Sequence, residues 1–198
     1  MRRAAYILFV LVFSLVSCTG GDGGSQTPQE DTGSGRTVAP PEVTEGTPRT
    51  AALASVPEAD GIARDWEEDA ELYAVASIAP RVDAQGRAPG WLYTYVSPSA
   101  GAVASVSLAG AEAEITPPQK LPEVQIEDIS DNLLPPPEEL IDSPEAIADA
   151  PEVLEVVEGS PDAQVSAGLD SFSSEEAVWI LSTTAGEERV EEKVPALK

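Results

Sequence analysis

The chain contains no histidine and one cysteine, Cys18. Without an imidazole it lacks the usual zinc sites, the Ser-His-Asp and Cys-His constellations and an imidazole proton shuttle. A lone cysteine can form neither an internal disulfide nor a cysteine-ligated cluster. Positive charge is scarce as well: 11 Lys and Arg stand against 35 Asp and Glu, for a formal net charge of −24. Such a chain repels nucleic acid and anionic lipid headgroups, both polyanions, so a nucleic-acid partner is set aside. Carboxylates, hydroxyls, Lys and Arg are all that remain for catalysis. That inventory points to a protein that is not an enzyme and carries no cofactor, no catalytic residues and no metal.

The acidity has two readings. One is a specific role, in binding cations or a basic partner. The other is a solvated surface suited to a salty habitat, where high ionic strength screens self-repulsion. The three lysines (Lys120, Lys193 and Lys198) and the abundant alanine and acids favour habitat.

The N-terminus carries the sharpest pattern. Met1-Arg2-Arg3 is basic, Ala4 to Val16 is almost wholly apolar, and Ser17-Cys18 follows. That apolar stretch is too short to settle across ~30 Å of hydrocarbon and reads as an export signal. Leu15-Val16-Ser17-Cys18 resembles the lipobox of bacterial lipoproteins. The resemblance implies cleavage between Ser17 and Cys18 and a diacylglycerol on the Cys18 thiol. It further implies a cell membrane or outer membrane location facing the periplasm or exterior, with the membrane as partner through the lipid. Each buried CH₂ contributes about 0.8 kcal/mol, so several acyl chains hold a protein durably. The competing reading is an ordinary secreted or membrane-anchored protein with a chance cysteine. Loss of residues 1–17 would remove two of the 11 basic residues and no acid, deepening the charge to −26.

Residues 18–50 are rich in Gly, Ser, Thr and Pro, with Val38 and Val43 the only large apolar residues after Cys18. This segment cannot bury enough surface to order itself and is expected to be a disordered tether, with a reach on the order of 30 Å. In the remainder, Ala59, Ile62, Ala63, Trp66, Ala70 and Tyr73 are spaced as one helical face behind Pro57-Glu58. Strand-like runs follow at Leu72 to Val82, Trp91 to Val96 and Ala102 to Ile115. After a Pro-punctuated stretch the pattern returns. Asp142-Ser143-Pro144-Glu145 is a helix start, Pro151 is expected to kink or split that helix, and strands are expected at 164–172, 177–184 and 189–194.

The two halves can be laid on each other. Pro57-Glu58-Ala59 recurs as Pro144-Glu145-Ala146, and Trp91-Leu92-Tyr93-Thr94 recurs in character as Trp179-Ile180-Leu181-Ser182. This suggests an internal duplication. The expected fold class is α+β, as two tandem αβββ units: residues 51–116, a Pro-rich linker at 117–141, and residues 142–198. A helix on a small antiparallel sheet, repeated, resembles the PepSY and PepSY-like exported bacterial domains, broadly cystatin-like in architecture. Ser97-Pro98-Ser99-Ala100-Gly101 and Thr183-Thr184-Ala185-Gly186 stand where those domains carry an Asp-x-x-Thr-Gly-type turn. The resemblance implies a non-catalytic envelope module that binds or restrains a protein or peptide.

Trp66, Trp91 and Trp179 read first as core residues. Trp91, Tyr93 and Tyr95 share one strand face by alternation; if the helix does not cover that face, they form an aromatic strip for a peptide or glycan ligand. The acid clusters Glu67-Glu68-Asp69, Glu127-Asp128 with Asp131, and Glu187-Glu188 with Glu191-Glu192 read as solvated surface. None has EF-hand spacing. The alternative function is a carboxylate-dependent hydrolase of cell-surface polymers, which needs two facing carboxylates; a lectin-like or Ca²⁺-binding module is a third.

Overall fold

The computed structural model describes residues 46–198, except 80, 161–162, 173–175 and 187. The expected signal peptide, the lipidation site Cys18 and the tether through residue 45 lie outside the described residues.

Helix α1 (Val56–Trp66) has Pro57 in its first turn, Glu58 near its positive end and Arg64 in its last turn. Val56, Ala59 and Ala63 form its buried stripe. The chain continues through β1 (Glu71–Ser77), β2 (Gly90–Ser97), β3 (Ala102–Ala109), β4 (Glu112–Ile115) and β5 (Gln119–Lys120). Then come α2 (Glu123–Ser130), α3 (Ser143–Ala148), α4 (Pro151–Gly159), β6 (Gln164–Asp170), β7 (Val178–Ala185) and β8 (Glu188–Pro195).

Two expectations are corrected here. The stretch 102–115 is not one strand: Gly110 adopts φ +61 and folds it into the β3–β4 hairpin. Residues 117–141 are not only linker, since β5 pairs with β3 and α2 begins directly after Pro122. Pro151 separates α3 from α4, as its missing N–H and fixed φ require.

All strand pairings are antiparallel and make a single sheet, ordered β4-β3-β2-β1-β6-β7-β8 with β5 on β3. The fold is α+β. Helix α1 packs on β2 and β3, and α4 on β7 and β8. Period-two alternation buries Trp91, Tyr93 and Tyr95 of β2, Val75 of β1, Val165 and Leu169 of β6, and Trp179 and Leu181 of β7. The register carries this face across the middle of the sheet: Tyr93 lies opposite Val75, Val75 opposite Leu169, and Leu169 opposite Trp179. One core therefore runs from α1 to α4.

The helix starts are tied together. Asp142 caps α3 in a capping box with Glu145, and its Oδ1 also accepts the Leu53 N–H at 2.9 Å. Beside it, the Ser143 hydroxyl accepts the Ala52 N–H at 3.0 Å.

Two buried hydroxyls, those of Ser130 in α2 and Thr183 in β7, have no hydrogen-bond partner among the described residues, and Thr183 is 1% exposed. A buried unpaired hydroxyl costs about 1–3 kcal/mol. Thr183→Val is therefore expected to stabilise the fold by about 1 kcal/mol and raise Tm by roughly 2–4 °C. A thermal melt checks this; a lower Tm would mean that the hydroxyl is satisfied.

Candidate functional site

The aromatic strip is corrected first. Trp91, Tyr93 and Tyr95 do lie on one face of β2, but it is the face beneath α1, and their exposures are 0, 0 and 1%. The Trp91 indole N–H donates to the Thr50 carbonyl at 2.9 Å and the Tyr93 hydroxyl to the Ala52 carbonyl at 2.7 Å. The Tyr95 hydroxyl donates to the Asp60 carboxylate of α1 at 2.8 Å. Their polar ends are thus spent inside the molecule, and the rings offer no surface to a ligand. Trp179 is equally buried and Trp66 packs partly buried against the same core.

Burial pushes up the pKa of Tyr93, and that of Tyr95 further, where the bond to Asp60 and the negative charge of Asp60 add to burial. Burial also raises Tyr73. A phenol whose folded pKa is raised contributes stability below its ordinary value of about 10 and loses it as pH climbs past that value. In a chain starting at Cys18, these three are all the tyrosines. The expected result is that Tyr93 and Tyr95 phenolate absorbance at 295 nm appears only together with loss of near-ultraviolet circular dichroism, above pH 10. Simple titration of all three at pH 10 with the fold intact would contradict the buried placement.

The acid clusters resolve into separate structural roles. Asp69 accepts the Ser97 hydroxyl at 2.6 Å and the Ser99 N–H at 2.8 Å, contacts that hold its pKa below the usual carboxylate value. Glu192 reaches from β8 to accept the Val153 N–H at 2.8 Å. It serves the start of α4, where Ala150 has no side chain to cap with. Glu191 pairs with Arg189 at 3.1 Å. Glu187 lies outside the described residues. Glu127 and Asp131 border a shallow depression of about 500 Å³ with Glu123 and Ile126. Among the described residues no three acids are grouped to hold a metal ion.

A cleft of about 520 Å³ lies between the β1–β2 connection and the end of α4, lined by Arg49, Arg81, Val82, Asp83, Val157 and Gln164 among others. Its geometry begins with the turn at Asp83–Arg87. The Asp83 N–H donates to the Arg87 carbonyl at 2.9 Å, and the Asp83 carboxylate accepts the N–H groups of Gln85 and Arg87. Arg49 is pinned over this turn: its Nη1 donates to the Arg81 carbonyl at 2.6 Å and the Arg87 carbonyl at 3.3 Å, and stands 3.7 Å from Asp83. Val82 anchors the wall through its N–H to the Val165 carbonyl at 3.1 Å. The Arg81 side chain is exposed and no hydrogen bond or ion pair engages it among the described residues. Sequence reasoning missed this place. Its one sequence signal is that Arg81 and Arg87 bracket a turn in a chain poor in bases.

No helix among the described residues is long and apolar enough to cross a membrane. No family model and no curated protein matches the chain. A solved structure of a candidate lipoprotein from Clostridium difficile 630 is similar at 13% identity over 72% of this chain and 86% of that one, with a TM-score of 0.48.

Proposed function

We propose that the protein is a lipid-anchored cell-envelope lipoprotein whose folded part is a duplicated, non-catalytic binding or scaffolding module for an envelope protein or peptide. The observation that carries the anchor is Leu15-Val16-Ser17-Cys18 behind a short basic start and an apolar run, with Cys18 the one cysteine in 198 residues. A low-complexity stretch then precedes the folded residues, as a tether would.

The duplication is supported by the order of elements in the sheet. Strands β3-β2-β1 follow α1, β6-β7-β8 follow α3 and α4, and the antiparallel β1–β6 pair stands at the centre. A two-fold rotation there would exchange the two sets. Trp91 and Trp179 occupy matching second strands, and each indole N–H donates to a backbone carbonyl in the segment leading into a helix, Thr50 before α1 and Ile141 before α3. The second helix is broken where α1 is continuous. Helix on one face of an antiparallel sheet is the arrangement the PepSY-like resemblance calls for.

The test is intact mass and detergent phase partitioning of the protein from its native membrane, beside Cys18→Ala. A diacylglycerol-sized addition on a chain starting at Cys18, lost in the variant, supports the reading. A mature chain that begins elsewhere and partitions into water overturns it.

A further inference from the structure

We infer that the cleft bounded by Arg49 and Arg81 is a binding site for a small anion, one with a carboxylate or phosphate head on a compact apolar body. The inference is independent of the lipid anchor.

The described residues hold five arginines, Arg49, Arg64, Arg81, Arg87 and Arg189, and two of them, Arg49 and Arg81, line this cleft. Among the described residues Arg189 pairs with Glu191 and Arg49 stands near Asp83. Arg64, Arg81 and Arg87 have no side-chain hydrogen bond or ion pair there, and of these three Arg81 is the one at the wall of a cavity. An unpaired guanidinium there is five donors looking for oxygen.

Arg49 adds pre-organisation. Its Nη1 alone carries the contacts to the two carbonyls and Asp83, so the fork is held in place with its other donors uncommitted. Planar guanidinium forks match carboxylate and phosphate oxygens bidentately, and a held fork loses less entropy on binding. Among the described lining residues Asp83 is the one acid and is offset by Arg49, which leaves Arg81 as the uncompensated positive charge. The rest of the wall is Val82, Val157 and alanines, with the Gln164 amide as a further polar group. A volume of about 520 Å³ falls within the roughly 300–1,000 Å³ common for small-ligand sites.

The overall charge argues against long-range steering of an anion, since the field of a −24 chain repels it. At physiological salt that field is screened beyond about 8 Å, so the local pair decides affinity once the ligand is in place. Slow association and a binding strength carried by Arg81 are the result.

The experiment titrates the purified full-length protein with inorganic phosphate and, separately, with succinate, following Tm and calorimetric heat against sodium chloride at matched ionic strength. Arg81→Gln and Arg189→Gln run beside it. Both variants change the net charge equally, both side chains are exposed, and only Arg81 lines the cleft. The expected result is saturable stabilisation by at least one of the two anions in the parent and in Arg189→Gln, weakened ten-fold or more in Arg81→Gln. The stronger of the two names the head group. Stabilisation no greater than that from chloride overturns the proposal. So does stabilisation that Arg81→Gln retains, or that both variants lose equally.

Discussion

Gly86→Ala is expected to destabilise the protein by about 3 kcal/mol or more, while Gly101→Ala costs about 1–2 kcal/mol. Both glycines adopt positive φ, +70 at Gly86 and +57 at Gly101, so both substitutions carry the left-handed backbone penalty. Only Gly86 meets other atoms. A Cβ built there would stand 2.3 Å from the Ser143 carbonyl oxygen and 2.5 Å from the Pro144 nitrogen, whereas nothing lies within 4 Å at Gly101. Both neighbours at Gly86 are backbone at the first turn of α3 and cannot swing aside. The turn or the helix must move, and with α3 moves the pair Asp142 and Ser143 that holds the N–H groups of Leu53 and Ala52. Urea unfolding of the two variants measures the difference, which isolates the steric contribution from backbone strain. Equal losses would mean that the turn does not lie against α3 as closely as described.

The contact at Gly86 also shows where reading from sequence stopped. Local patterns were legible: the apolar spacing of α1 as far as Trp66 (Ala70 and Tyr73, expected on the same helical face, lie past its end, Tyr73 in β1), the Asp-Ser-Pro-Glu start of α3, the split at Pro151 and the Trp-headed strands β2 and β7 are each written within ten or so residues. Gly110 was harder, because one glycine inside an otherwise strand-like run signals a bend, a bulge or a turn equally well. Helix α2 is eight residues between prolines, too short for a periodicity to stand out. Alternation showed that Trp91, Tyr93 and Tyr95 share a face, yet which face a helix covers is decided by packing. The cleft was hidden for the same reason. Arg49 meets the carbonyls of Arg81 and Arg87 across 32 and 38 residues of chain, and a bond to a carbonyl demands no particular residue type at the accepting position. Glu192 serving α4 from β8, 39 residues from Val153, leaves no local trace either.

Trp91→Ala and Trp179→Ala are each expected to cost about 3–5 kcal/mol, a large part of the 5–15 kcal/mol typical of a whole domain. Both rings are fully buried and meet edge to face, with centroids 6.4 Å apart and planes at 71°. That contact couples the core under α1 to the core under α3 and α4, so each single variant is expected to melt in one transition rather than releasing half the sheet. It also makes the costs non-additive: the ring–ring contribution, about 0.5–1.5 kcal/mol, is lost once in the double variant but counted in both singles. The phenylalanine variants separate hydrogen bonding from packing. The Thr50 carbonyl also accepts the Ala88 N–H at 3.0 Å, so Trp91→Phe leaves it satisfied. The Ile141 carbonyl has the Trp179 indole, at 3.0 Å, as its hydrogen-bond donor among the described residues, and Trp179→Phe strips it. A half-buried carbonyl left without a donor costs about 1 kcal/mol, so Trp179→Phe is expected to fall below Trp91→Phe by about that amount in denaturant unfolding. Equal values for the two would remove the hydrogen-bond asymmetry. A biphasic melt in either alanine variant would show that the two halves of the sheet fold independently and that the tryptophan pair is not what joins them.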